Sequence, residues 1–364
     1  MSRITRRMGI LAQLDYPLLI SLLTFFALNL VIVYSSTGMN TSMFTSQVGN
    51  AIAGFAILIA ITFIDPRWFS RLSWVAYGVS VLLLLLVMFH GQSSKGAARW
   101  LNIGFRFQPS ELLKLTVPVV LATYFGSKTL PAKWWQAGIA LIIIGVPALL
   151  IFKQPDLGTA LLVAASGLII IFLAGVNKWI IVSAFGALTP IGATAWFFFL
   201  KPYQKMRILV LLDPSIDTKG SAYNIIQSKI AIGSGGMWGK GWLHGTQAHL
   251  QFLPERHTDF AFAVFCEEFG YVGFLLLILM YLFVICRCSL IALRAQSSFE
   301  RLLAGALTLM LFVYVFINMG MVSGILPVVG VPLPFVSYGG TAMITMSMAF
   351  GIIMSICVHR KTEQ

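Results

Sequence analysis

Asp259 is the acid whose position invites chemistry first. It closes the polar stretch Leu253-Pro-Glu-Arg-His-Thr-Asp259 and is followed at once by an apolar run. A carboxylate there has two readings. Thr258 or Asp259 caps the coming helix, or Asp259 is a general base that takes a proton from a hydroxyl. Glu111 and Lys114 stand three residues apart and share a helix face. Gln108-Pro-Ser110 precedes them, so Ser110 is expected to cap that helix and Glu111 to sit in its first turn. The pair either satisfies two buried charges or leaves Lys114, about one turn below the surface, within reach of a pyrophosphate. Asp156, in Gln154-Pro-Asp156, reads as a helix cap before it reads as a ligand. Glu267 and Glu268 lie two helical turns beyond Asp259 inside an apolar run, where a carboxylate needs a cationic partner or a raised pKa.

Other signals are excluded by spacing. Gly233-Ser-Gly-Gly-Met-Trp-Gly-Lys-Gly241 looks like a phosphate loop, but Lys240 is followed by Gly241 rather than Ser or Thr, and no strand precedes it. Backbone amides in so glycine-rich a turn could still hold an anion. His244, His249 and His257 have no metal-ligand spacing, and Cys286 and Cys288 have no second pair. No protein metal site is therefore expected. The four cysteines fall in or at the ends of apolar runs, where they read as packing residues, and no disulfide is expected. Hydrolase motifs are absent.

The elements that must position these residues follow from composition. Of 364 residues, 58% are hydrophobic and only 10% are charged, too few to cover a soluble globule. An all-α polytopic membrane protein is expected. Tyr16–Ile64 is one uncharged run broken by the polar segment Ser35–Gly49, and Leu302–His359 is another, broken at Gly324–Pro334. Each is long enough for two helices, since a bilayer needs about 20 apolar residues per span. Leu72–Ser94, Trp134–Phe152, Leu157–Asn177 and Trp179–Leu200 are single spans. Leu112–Phe125 and Phe260–Arg287 complete ten, their ionisable groups facing the bundle interior. Ten spans put both termini on one side. Thirteen Lys and Arg on that side, against Lys153 alone in the short connectors opposite, make it cytoplasmic. The basic N-terminus leads directly into a full-length span, so no cleavable signal is expected.

Two outer segments break the charge rule. Gly91–Ser110 carries Lys95, Arg99 and Arg106 without an acid, which asks for an anionic partner at the outer leaflet. The loop of about residues 201–257, between helices 7 and 8, is also basic, with Arg207 among its cations. Within it, Tyr223, Ile226 and Ile230 are spaced as the apolar face of a short helix lying on the membrane.

Several of these stretches resemble one family throughout. They are Ser94-Lys-Gly-Ala-Ala-Arg-Trp100, Phe107-Gln-Pro-Ser-Glu111 with Lys114, Gln154-Pro-Asp-Leu-Gly-Thr159, and Gln227-Ser-Lys-Ile-Ala-Ile-Gly-Ser-Gly-Gly236. Gly239-Lys-Gly-Trp-Leu-His-Gly-Thr246, Phe252-Leu-Pro-Glu-Arg-His-Thr-Asp-Phe260 and Pro332-Leu-Pro-Phe-Val-Ser-Tyr-Gly-Gly340 continue the series. Together they resemble the SEDS family (shape, elongation, division and sporulation), on its rod-shape branch rather than its division branch. The resemblance covers nearly the whole chain as a single domain, 1–364.

That resemblance implies a ten-helix peptidoglycan glycosyltransferase. It would polymerise lipid II outside the cytoplasmic membrane during elongation, beside a class B penicillin-binding protein that cross-links the strands. It also implies that Asp259 is the essential catalytic residue. The chemistry is compatible: one base deprotonates the acceptor hydroxyl while a lipid pyrophosphate leaves, and cations offset the charge that develops. By analogy Lys114, Lys95, Arg99 and Arg207 would meet the pyrophosphates, with Glu111 orienting Lys114. Gln108, Asp156 and His257 complete the substrate-binding candidates. No cofactor is required, although a divalent cation such as Mg or Mn could share the work on hard oxygens such as those of Asp259 and Asp156. Two rivals remain at this point: a lipid II flippase, which Glu267 and Glu268 would suit, and a non-catalytic scaffold for the penicillin-binding protein.

Overall fold

The computed structural model describes residues 13–90, 92–94, 97–102, 106–177, 186, 194–217, 220–249, 252–253 and 255–360. Long helices run back and forth between two ends. They are α1 (Tyr16–Ser36), α2 (Thr41–Thr62), α3 (Pro66–His90), α4 (Pro109–Gly126), α5 (Trp134–Lys153) and α6 (Leu157–Leu173). After α7 (Pro202–Leu212), α8 (Ser221–Ser234) and the single turn α9 (Thr246–His249) come α10 (Ala261–Leu293), α11 (Ser298–Val322) and α12 (Gly340–Val358).

Polar residues mark where the helices start. Asp15 accepts from the Leu18 amide at 2.9 Å, Asn40 from Met43 at 3.2 Å, and Ser297 and Glu300 form a reciprocal capping box. Seven helices among the described residues are long and apolar enough to cross a membrane, and α4 and α6 run alongside them with 18 and 17 residues. Mid-helix side chains such as Leu82, Ile142, Leu149, Leu276 and Phe316 are more than half exposed. An apolar exterior of that kind belongs in lipid. The chain is a multi-pass membrane protein.

Two features depart from expectation. The fold is not purely helical: β1 (Gln92–Ser94), β2 (Ala97–Asn102) and β3 (Arg106–Phe107) form a small antiparallel sheet in the basic segment ahead of α4. Only two residues separate Ser94 from Ala97, the shortest hairpin connection. The polar segment Ser35–Gly49 is largely helical, because Gln47 is buried and donates to Asn29 at 2.8 Å. The span expected over Trp179–Leu200 lies outside the described residues except for Gly186 and its end, which closes in a π-helical turn, Ala195–Phe199.

At the centre stands α4, which packs against α3, α5, α6, α11 and α12. Most of its residues are buried all round, including Glu111 and Lys114. A helix with no solvent face must pair any charge it carries.

Candidate active site

The buried pair of α4 is the first component. Lys114 is 3% exposed, its Nζ lies 2.6 Å from Glu111 Oε1, and it stands 5.3 Å from the centre of the Tyr314 ring. The ammonium thus has an anion on one side and an aromatic face on the other. Ser110 is not the cap that its type suggested. The helix starts one residue earlier, with Pro109 in the first turn and Gln108 half-buried at the cap position, making no side-chain capping bond. Proline's fixed φ and missing N–H suit that first turn.

Lys114 and Glu111 form part of the wall of a cleft, completed by Tyr314, Pro332–Phe335, Ser337–Gly339 and three residues of α12. The segment between α11 and α12, residues 323–339, is therefore more than a connection. It is fastened towards its C-terminal end. Asn29 donates to Ser337 O at 3.1 Å, Tyr281 Oη to Pro334 O at 2.5 Å, and the Leu333 amide to Ser337 Oγ at 2.9 Å.

The same segment gathers the other candidates. Arg207 of α7 donates to Val328 O at 3.1 Å. The start of α6 lies against Val329: a Cβ on Gly158 would fall 2.7 Å from Val329 O. Asp156 behaves as the cap reading has it, accepting from Thr159 N at 3.3 Å and Thr159 Oγ1 at 3.0 Å. The Tyr338 amide donates to His257 O at 2.7 Å, and the two rings meet edge to face at 5.9 Å.

Asp259 is half-buried in the turn that precedes α10. It is not the helix cap, because Phe260 occupies that position. Asn318 of α11 donates both to Asp259 O at 2.9 Å and to Val331 O at 2.6 Å, tying the catalytic candidate to the segment. One carboxylate oxygen lies against Gly330, where a Cβ would stand 3.3 Å from Oδ2. Gly330 has φ +78°, a conformation that suits glycine. Asp259 does not line the cleft itself. It is joined to it through His257 and Tyr338.

The structure thus brings Asp259, His257, Arg207, Asp156, Glu111 and Lys114 to one end of the bundle around one ribbon. Lys95 lies outside the described residues. Of Arg99 only the backbone is described: it is the extra residue of a bulge between β1 and β2. Tyr314, Asn318, Tyr338 and Arg256 were not singled out by type. The Arg256 guanidinium lies against Gly38, and burial lowers its pKa from arginine's ordinary value. Among the described residues no three His, Cys, Asp or Glu side chains converge as a metal site.

The glycine-rich loop has a different job from anion binding. At Gly270, α10 breaks, with φ +65° and ψ −162°. Its freed backbone groups bond the loop: the amides of Lys240 and Gly241 donate to the carbonyls of Glu267 and Glu268, both at 3.0 Å. In return the amides of Tyr271 and Val272 donate to Gly236 and Met237, at 2.9 and 3.1 Å. The backbones meet so closely that a Cβ on Gly239 would lie 2.1 Å from Glu268 O. Glu267 has the cationic partner expected of it, Lys240 at 2.7 Å, and also accepts from Thr246 and the Gln247 amide. Glu268 accepts from Ser35 and from the Leu243 amide. Both acids fasten the loop to the bundle.

The helix α8 exists where the apolar spacing predicts it, but its buried face is Ala222, Ile225, Ser228 and Ala231, against α10 and α11. Ile226 and Ile230 face outward. Small residues permit the close approach, and the two isoleucines remain for the membrane surface.

Residues 8–362 match the FtsW/RodA/SpoVE family, described as cell cycle proteins. The chain is 48% identical over 350 residues to the peptidoglycan glycosyltransferase MrdB of Escherichia coli K12, covering 96% of this chain and 95% of that protein. Its fold matches a chain solved in a peptidoglycan synthase complex that coordinates polymerization and crosslinking. That match has a TM-score of 0.82 at 29% identity and covers 94% and 97% of the two chains. It also matches the rod shape determining protein RodA of Thermus thermophilus, solved as a variant with one aspartate replaced by alanine. There the TM-score is 0.74 at 26% identity, with 96% and 99% covered.

Proposed function

The chain belongs to the FtsW/RodA/SpoVE family, and from that premise we propose that it is a peptidoglycan glycosyltransferase polymerising lipid II, with Asp259 as its base. The observation that carries the mechanism is the convergence of Asp259, Arg207 and the Lys114 cleft on residues 323–339. The Asp259 carboxylate takes the proton of the acceptor sugar hydroxyl. That oxygen forms the new glycosidic bond as the donor's bond to its lipid pyrophosphate breaks, and the electron pair leaves on the pyrophosphate. Lys114 and Arg207, with Lys95 and Arg99 of the sheet segment, offset the charge on that leaving group. Glu111 holds Lys114 in place. Gln108 and His257 border the same region, and Asp156 positions the start of α6. Were a divalent cation bound, the carboxylates of Asp259 and Asp156 would be the hard oxygen donors to hold it, and it would help offset the charge on the leaving group.

Ten spans, with both termini in the cytoplasm and residues 201–257 outside, put this site at the outer face, where lipid II is consumed. The excess of Lys and Arg at the opposite end supports that orientation. The partner is a class B penicillin-binding protein. The placement of Glu267 and Glu268 as loop anchors supports an enzyme over a flippase, because neither is left to line a pathway. The test uses purified full-length protein and lipid II in detergent, with and without the partner. Wild type is expected to make glycan polymer, and Asp259→Asn to lose it by at least about 100-fold while still binding the partner. Normal polymer from Asp259→Asn would overturn the mechanism.

A further inference from the structure

A second cavity lies at the other end of the bundle, far along α10 from Asp259. Its wall includes Arg287 of α10, Arg294 at the C-terminal cap of that helix, Arg360 after α12, and Asp15 ahead of α1. Two chain segments thus turn three cations onto one hollow, with Asp15 contributed by a third. Asp15 is fully engaged: one oxygen caps α1 and the other receives Arg287 at 2.5 Å. That leaves Arg294 and Arg360 without an acid, since neither forms an ion pair among the described residues. Arg287 Nε is buried and has no hydrogen-bond partner among them either. The remaining wall is apolar, including Leu290, which is 38% exposed, and the buried Ile356.

We infer that this cavity binds the phosphate headgroup of an anionic membrane phospholipid. Guanidinium groups match phosphate oxygens in geometry as well as charge. Basic pockets between spanning helices are where such headgroups bind, with the acyl chains running along adjacent apolar helix surface. The bland alternative is that these arginines are only topology signals. A topology signal needs charge anywhere in the connecting segment, not three cations from the ends of two helices gathered around a hollow with apolar walls. The inner-leaflet location rests on the orientation proposed above; the site itself does not.

The experiment is native mass spectrometry of the full chain in neutral detergent, titrated with phosphatidylglycerol or with phosphatidylcholine of the same acyl chains. Each unpaired cation is worth about fivefold, so the wild type is expected to prefer phosphatidylglycerol by roughly thirtyfold. Arg294→Gln with Arg360→Gln should abolish that preference at an unchanged thermal midpoint, and lysine at both positions should keep most of it. Arg67→Gln with Arg71→Gln, on the same face but away from the cavity, should keep all of it. Equal retention of the two lipids by the wild type, or an undiminished preference in the double glutamine variant, would refute the site. Displacement of the lipid by millimolar inorganic phosphate would assign it to a soluble anion instead. None of these readings depends on whether Asp259 is catalytic.

Discussion

Lys114 is held by two neighbours, and the reasons for holding it can be separated experimentally. Removing one member of a buried ion pair leaves an uncompensated charge and destabilises by about 3–5 kcal/mol, whereas replacing both members is far milder. Glu111→Gln is therefore expected to lower the thermal midpoint in detergent, and Glu111→Leu with Lys114→Leu to recover most of it. If Lys114 also meets the pyrophosphate, the recovered double variant stays inactive in lipid II polymerisation. An active double variant would make the pair purely structural. The pairing itself was legible from the three-residue spacing of Glu111 and Lys114. Tyr314 was not, because an aromatic residue in an apolar helix looks the same whether it faces lipid or an ammonium group.

At the scale of elements, the broken helix α10 explains the glycines of residues 233–241. A backbone break inside a membrane must find new partners for its amides and carbonyls, and here a loop supplies them in both directions. Glycine is required where the two backbones touch: a Cβ on Gly270 would lie 2.3 Å from Gly239 N. Gly239→Ala is thus expected to undock the loop, read as faster tryptic cleavage at Lys240 in the folded protein, with polymerisation reduced in proportion. Cleavage as slow as in wild type would refute this account. The sequence suggested an anion cradle because glycine-rich turns share one composition whatever their amides bond. Only the partner backbone, the break in α10 some thirty residues further along the chain, distinguishes the two uses.

For the whole molecule, hydropathy marked the long helices well because the lipid-facing surface leaves no alternative to apolar residues. It was less informative about the basic segment ahead of α4, where the strands are too short to show a period. It also could not reveal that Asp259, Arg207 and the Lys114 cleft meet, since residues 114, 207, 259 and 328 are joined only by tertiary packing. Topology gives the prediction proper to this scale. A cysteine in place of Ile216 should react with a membrane-impermeant maleimide on intact spheroplasts, and one in place of Gln296 only after permeabilisation. The reverse pattern would invert the orientation and remove the site from the outer face.

Residues 323–339 have a consequence for engineering. The ribbon supports Asp259 at Gly330 and Val331, an arginine at Val328, and the cleft wall from Pro332 to Gly339. Exchanging it for the equivalent stretch of a relative would reposition all three at once, so donor and acceptor preferences should be inherited together as one cassette rather than tuned residue by residue.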